Sequence, residues 1–228
     1  MSQIGPYVPL LLNGLLITLA LTACGMALAL VVAFTAGLAR MSPRRLLRWP
    51  AGAFVEVFRG TSMLVQLFWL FFALPFFGIQ LTPFAAGVLA LGLNEGAYAA
   101  EIVRGSINSL PRGQHEAAAA LSMSSAHKMR RILLPQAIPV MLPSFGNVLI
   151  DLLKNTSLVS LVTVADLTFR AQMVRSSTGA TTAVFGTILV MYFVVSYLLS
   201  LGRGWLERRV APDRIAPKRT GLAGAVQG

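Results

Sequence analysis

The chain is poor in almost everything a water-soluble enzyme displays. Of its 228 residues one is cysteine, two are histidine and eight are acidic, and charged residues amount to 12%. A soluble domain carries about 25% charged residues, so this chain cannot coat a water-facing surface with ionic groups. The lone Cys24 excludes an internal disulfide and leaves the redox compartment unread. His115 and His127 have no cysteine or carboxylate at ligand spacing, which argues against a metal centre. No acid pair and no nucleophile beside a base offers catalysis by this chain. The opening MSQIGPYVPLLLN has neither a basic start nor a small-residue cleavage site, so the first apolar block reads as a retained span and not a removed signal. The alternation of a membrane barrel is missing, as are an internal repeat and a large polar domain.

Apolar residues, by contrast, reach 56%, and they come in blocks. A helix crossing the hydrocarbon core needs about 20 mostly apolar residues. Five stretches qualify: 10–38, 54–77, 84–107, 138–164 and 183–206. Each must be helical, because lipid offers no partner to an unpaired backbone group. The expected fold is all-α: a polytopic membrane domain over 1–209 with five transmembrane helices, then a Gly-, Ala- and Pro-rich tail, 210–228, expected to be disordered.

The net charge of +11 is distributed unevenly. Arg40, Arg44, Arg45 and Arg48 follow the first stretch. Arg104, Arg112, Lys128, Arg130 and Arg131 follow or close the third, and Arg203, Arg208, Arg209, Arg214, Lys218 and Arg219 close the chain. The second connection has no basic residue and the fourth only Arg170 and Arg175. The positive-inside rule then puts the N-terminus outside and the C-terminus in the cytoplasm. A nucleic-acid binder can be equally basic. Here the basic residues lie between apolar blocks, which points to lipid and argues against nucleic acid.

The longest polar insert, 110–135, reads as helix–break–helix. Glu116 to Leu121 favours helix, Ser122, Ser124 and Ser125 offer a break and a cap, and a second short helix runs to Ile132, with Pro135 marking entry into the next span. From composition alone the insert could equally be a basic loop that only obeys the positive-inside rule. The order of residues adds more. Glu116-Ala117-Ala118, then Ser122, then Ile132-Leu133-Leu134-Pro135 resembles the EAA loop of bacterial ABC-importer permeases. FRGTSMLVQLFW (58–69), LGLNEGAYAAEIVRGSI (91–107), LPQAIPVMLPSFGN (134–147) and LLKNTSLVSLV (152–162) extend the likeness to the polar-amino-acid branch. Departures are small: Ser122 stands where glycine is usual, Ser62 where proline is, Pro139 where arginine is common and Asn155 where aspartate is frequent.

That resemblance implies a type I importer permease fold in a bacterial inner membrane, moving a polar amino acid inward. The insert would be the coupling loop, with Glu116, Ala117, Ala118, Leu121, Ser122, Ile132 and Pro135 against two ATPase subunits. ATP and magnesium would sit on those partners, since this chain lacks a Gly-x-x-x-x-Gly-Lys-Ser/Thr phosphate loop. A second permease copy, identical or homologous, and an extracytoplasmic solute-binding protein complete the expected assembly. The competing reading is an ion-coupled secondary amino-acid transporter, which would need no docking loop.

Polar residues inside apolar stretches are costly and tend to face a cavity or a partner. Asn94, Tyr98 and Glu101 share one helical face. With Gln66, Lys154, Asn155, Thr156 and Ser157 they form the expected substrate path. They read alternatively as internal pairs holding helices together: Glu101 with Arg104, Glu56 with Arg59 and Asp151 with Lys154 stand three apart. Glu95 is set aside, because it lies about 100° around the helix from Asn94. Gly14, Gly25 and Gly37 are expected to allow close helix contact.

Overall fold

The computed structural model describes residues 5–210; apart from Val210, the expected tail lies outside the described residues. Among those described, every regular element is helical. A 3-10 turn leads into α1, Val8–Arg40. Pro9 falls in its first turn, where a missing N–H costs nothing, and no further proline or charge interrupts the run before Arg40.

The expected second span is not one rod. α2, Arg45–Gly60, and α3, Met63–Phe68, are joined through extended Thr61 and Ser62. The two arms meet at 106°. α3 continues through a wide turn, Trp69–Ala73, and a 3-10 turn, Leu74–Phe77. α4, Pro83–Asn108, starts on Thr82, whose hydroxyl accepts from the Ala85 amide at 3.2 Å.

The insert forms α5, Arg112–Ala120, and α6, Ser125–Lys128. Ser122 adopts φ 51°, and the Met123 amide donates back to the Ala118 carbonyl at 3.1 Å. That is a Schellman closure with serine at the left-handed position. A side chain there costs about 1 kcal/mol relative to glycine. Ser122→Gly is therefore expected to slow hydrogen exchange of the 117–123 amides about fivefold, read by mass spectrometry; unchanged exchange would mean that serine carries no strain.

The second half of the insert differs from expectation. Its helix does not stop before Pro135. Capped by Ser124, α6 runs through a π turn, Met129–Leu133, straight into α7, Leu134–Asn155. The physical reason is Pro135 itself. It offers no N–H, and its ring crowds the carbonyl four residues back. The wider π turn gives that ring room. α7 then tightens into a 3-10 turn, Thr156–Val162. α8, Leu167–Thr178, is capped by Asp166, which accepts from the Phe169 amide at 2.9 Å. α9, Thr181–Val210, ends the described chain.

Small residues set the packing. A Cβ on Gly37 would stand 2.9 Å from the Ala100 carbonyl, one on Gly14 2.9 Å from the Asp166 carbonyl, and one on Gly25 3.3 Å from Leu152. All three glycines thus sit at close helix contacts, as expected. Gly92 and Gly96 of α4 receive Leu28 and Val32 of α1 in the same way. The pairing of Gly92 with Leu28 and of Ala100 with Gly37 makes α1 and α4 parallel. Phe34 of α1 against Phe145 of α7 (ring centroids 6.0 Å apart), with Gly25 against Leu152, makes α7 antiparallel to both. Val184 and Ile188 of α9 cluster with Leu11 at the start of α1, and Arg203 lies against Gly146 of α7, so α9 turns back again. The C-terminal ends of α1, α4 and α9 therefore share one face with the insert.

Three described stretches are long and apolar enough to cross a membrane: Gly5–Arg40, Ser125–Val162 and Thr181–Arg209, with the bent pair α2–α3 as a fourth. α4 fills the place of the expected third span. It carries Glu95, Glu101 and Arg104, and it spends much of its surface against α1 and α7.

Candidate functional site

The break between α2 and α3 leaves the last carbonyls of α2 without helical partners. Side chains supply them. Thr61 donates to the Val57 carbonyl at 2.7 Å; the amides of Gln66 and Asn94 both donate to the Phe58 carbonyl at 2.9 Å; and Tyr98 reaches the Arg59 carbonyl at 3.4 Å. Asn94 also donates to the Gln66 side-chain oxygen at 3.1 Å. Three residues of the expected path are thus brought together as a cap on a broken helix.

That cap forms one wall of a cavity of about 830 Å³ between the α2–α3 bend, α4 and α7. Asn94, Tyr98, Glu101, Lys154 and Asn155 line it. Gln66 does not; its amide is turned into the bend. Thr156 is fully buried and donates to the Leu153 carbonyl at 2.7 Å, and Ser157 donates to the Lys154 carbonyl at 2.9 Å, so both close the end of α7 and stand off the cavity.

Glu95 corrects the sequence reading. It lines the cavity together with Asn94. A helix face seen from inside a cavity this wide spans more than the 100° between consecutive residues, so both positions are reached. Arg59, Thr61, Ser144, Asn147 and Asp151 also line it and were not among the expected residues. For α7 the signal was there: Ser144, Asn147, Asp151 and Asn155 recur every three or four residues. The sequence reads Arg59 as a structural partner of Glu56; Thr61 gives no signal, because its place depends on the bend.

The charges of the cavity fall into groups. Glu101 accepts from Arg104 at 2.8 and 3.0 Å and is ion-paired with Arg40 at the end of α1. Arg40 also reaches Glu56 at 3.5 Å, so Glu56 turns to α1 and not to Arg59. Asp151 and Lys154 stand 3.6 Å apart, both well exposed. Arg59 lies over the Tyr98 ring, 5.2 Å from its centroid, a favourable cation–π placement. Glu95 accepts from Asn155 at 2.9 Å.

The insert makes a second site. Glu116, Ala117, Leu121 and Ser122 are exposed, Leu121 at 74%, while Ala118 is fully buried beneath them. Pro135 is exposed and Ile132 half-buried. Gln136 donates to Gln114 at 3.2 Å and ties α5 to the start of α7. Beside this elbow, His127, Arg130 and Arg131 form a basic hollow.

Long apolar helices around a polar, charge-lined cavity define a membrane-embedded transport component. Residues 25–212 match the family described as "Binding-protein-dependent transport system inner membrane component", and the chain belongs to it. It is a transport subunit and not an enzyme. It is 46% identical over 204 residues, 87% of this chain and 86% of the relative, to the "Probable amino-acid ABC transporter permease protein y4tF" of Sinorhizobium fredii. It is 39% identical to the L-cystine transport system permease protein TcyB of Bacillus subtilis, covering 92% and 89% of the two chains. It is 37% identical to the glutamine transport system permease protein GlnP of Escherichia coli K12, covering 92% and 96%. Among solved structures it superposes on an amino acid ABC transporter crystallised with histidines, with a TM-score of 0.84 and 38% identity over 90% of this chain and 95% of that one.

Proposed function

We propose that this chain is the permease through which a polar amino acid enters the cytoplasm of a bacterium, driven by ATP hydrolysed on separate subunits. The observation that carries this is the elbow's attachment to the start of the helix that reaches the cavity, through the Gln136–Gln114 hydrogen bond. The exposed elbow, Glu116–Ser122, docks on the ATPase. After the turn that closes α5, α6 and α7 run as one continuous helix from Ser125 to Asp151, Lys154 and Asn155 in the cavity wall. ATP-driven closure of two ATPase subunits pushes two such elbows and opens the cavity alternately to either side of the membrane. ATP and magnesium stay on those partners.

Five membrane crossings, with α4 as the third, put the elbow, the Arg40 end of α1 and the Arg208–Arg209 end of α9 on the cytoplasmic face, the N-terminus outside. The cavity of one copy stays open beside the α2–α3 bend, α4 and α7, which supports two permease copies around a common path, fed by an extracytoplasmic receptor that delivers the solute. Glu116, Ala117, Ala118, Leu121, Ser122, Ile132 and Pro135 act at the elbow; Asn94, Tyr98, Glu101, Lys154 and Asn155 act along the path, with Gln66, Thr156 and Ser157 supporting its walls.

The test is uptake of labelled glutamine, histidine and cystine into proteoliposomes holding this chain with its ATPase and receptor. Uptake that requires enclosed ATP and stops with vanadate is expected. Uptake by this chain alone on an ion gradient would replace this reading with a secondary transporter.

A further inference from the structure

Glu95 is a charged group in an unusual position. It sits in the middle of α4, is only 6% exposed and lines the cavity. Its one hydrogen bond from a described residue comes from a neutral amide, Asn155 Nδ2 to Glu95 Oε1 at 2.9 Å. None of the ion pairs among the described residues includes it: Glu101 takes Arg40 and Arg104, and Lys154 takes Asp151. A buried carboxylate without a cation is expensive. Ionisable groups inside a membrane face a cavity or a partner and mark substrate or ion paths.

The Asn155 amide does more than satisfy one oxygen. It ties the carboxylate of α4 to α7 and leaves Oε2 of Glu95 and Oδ1 of Asn155 without a hydrogen bond from a described residue. Asp151, one turn earlier on α7, adds a third acceptor to the same wall. Lys154 on the same helix turns to Asp151 at 3.6 Å and leaves Glu95 without a cation, a place suited to a group that carries only N–H donors. At the α2–α3 bend stands Arg59, the one cavity-lining cation that forms no ion pair among the described residues. The cavity therefore presents a carboxyl group without a cation partner and a guanidinium without an anion partner, from different elements. A zwitterion matches that pattern of charge.

Resting on the permease reading above, we propose that Glu95, oriented by Asn155, receives the α-ammonium group of the transported amino acid, and that its cargo is bound as a zwitterion with Arg59 on the carboxylate side. Glu95 is then a specificity-determining residue: it selects for the ammonium and not for the side chain.

The experiment is equilibrium binding to the purified permease–ATPase assembly without its receptor. The probes are L-glutamine and L-histidine, each against the same molecule lacking its α-ammonium, glutaramate and imidazolepropionate. The wild type should prefer the ammonium-bearing partner of at least one pair by about 30-fold, the worth of one charged hydrogen bond. In Glu95→Gln that ratio should fall to about one, and Glu95→Asp, which keeps the charge, should retain part of it. A purely structural Glu95 would weaken both probes alike and leave the ratio unmoved, which overturns the proposal. So does a wild-type ratio near one, or a wild type that binds no probe while ATP-driven uptake persists. Loss of ATP-driven uptake in the wild type itself would instead take down the permease reading.

Discussion

An importer carrying Glu116→Lys is expected to lose affinity for its ATPase by about 100-fold, the scale of a charge reversed within a complementary interface, and uptake should fall with it. Glu116 is exposed on α5 and forms no hydrogen bond or ion pair with a described residue. No contact among the described residues therefore depends on its charge. Glu116 is the one acidic residue of the insert, among Arg112, Lys128, Arg130 and Arg131, so a lysine there removes the single negative charge that a basic group of the partner would meet. Ala117→Trp tests the same contact by bulk: an exposed alanine admits a partner's backbone, and an indole holds it off. Both variants should accumulate in the membrane as the wild type does and keep the cavity's binding, while ATPase co-purification and receptor-stimulated ATP hydrolysis collapse. Uptake at the wild-type rate in both would remove the docking role from this elbow.

Gly37→Leu should be among the most damaging single changes to stability. Its Cβ would meet the Ala100 carbonyl at 2.9 Å and Val103 Cβ at 3.0 Å, backbone and β-branched carbon that have nowhere to go. Forcing α1 from α4 there also pulls Arg40, three residues on, away from Glu101, so two penalties coincide: overpacking and a broken ion pair. A loss of roughly 3–5 kcal/mol follows, visible as a large drop in melting temperature and in the recovered folded fraction. Gly52→Ala in α2 is the control: no atom lies within 4 Å of its Cβ, and it should gain about 0.5–1 kcal/mol from helix propensity. If both substitutions behave alike, close approach of α1 and α4 is not what holds this bundle together.

Apolar block length was enough to anticipate α1, α7 and α9, because lipid allows a polar backbone only one solution. Block length said nothing of the α2–α3 bend. FRGTSMLV contains no proline, and the break depends on caps donated by Gln66 and by two residues of α4, Asn94 and Tyr98, far along the chain. The same contacts explain why Asn94 and Gln66 could be placed among the polar residues that matter, yet not assigned their hydrogen bonds. Helical spacing put Asn94, Tyr98 and Glu101 on one face correctly. It misled for Glu95, because a projection around one helix knows nothing of how broad an opposing cavity is. The elbow was legible in its residue order, and the left-handed Ser122 was foreshadowed by glycine at that place in related sequences. The fusion of α6 to α7 was not, because a proline usually ends a helix, and only the wider turn before it lets this one continue.

That fusion has a geometric consequence. From Ser125 to Asn155 the backbone spans about 45 Å at 1.5 Å per residue, so a tilt of only about 5° at one end moves the other by about 4 Å. Such a displacement exceeds the 2.9 Å that joins Asn155 to Glu95, and a swing too small to disturb the contacts near the pivot is enough to part them.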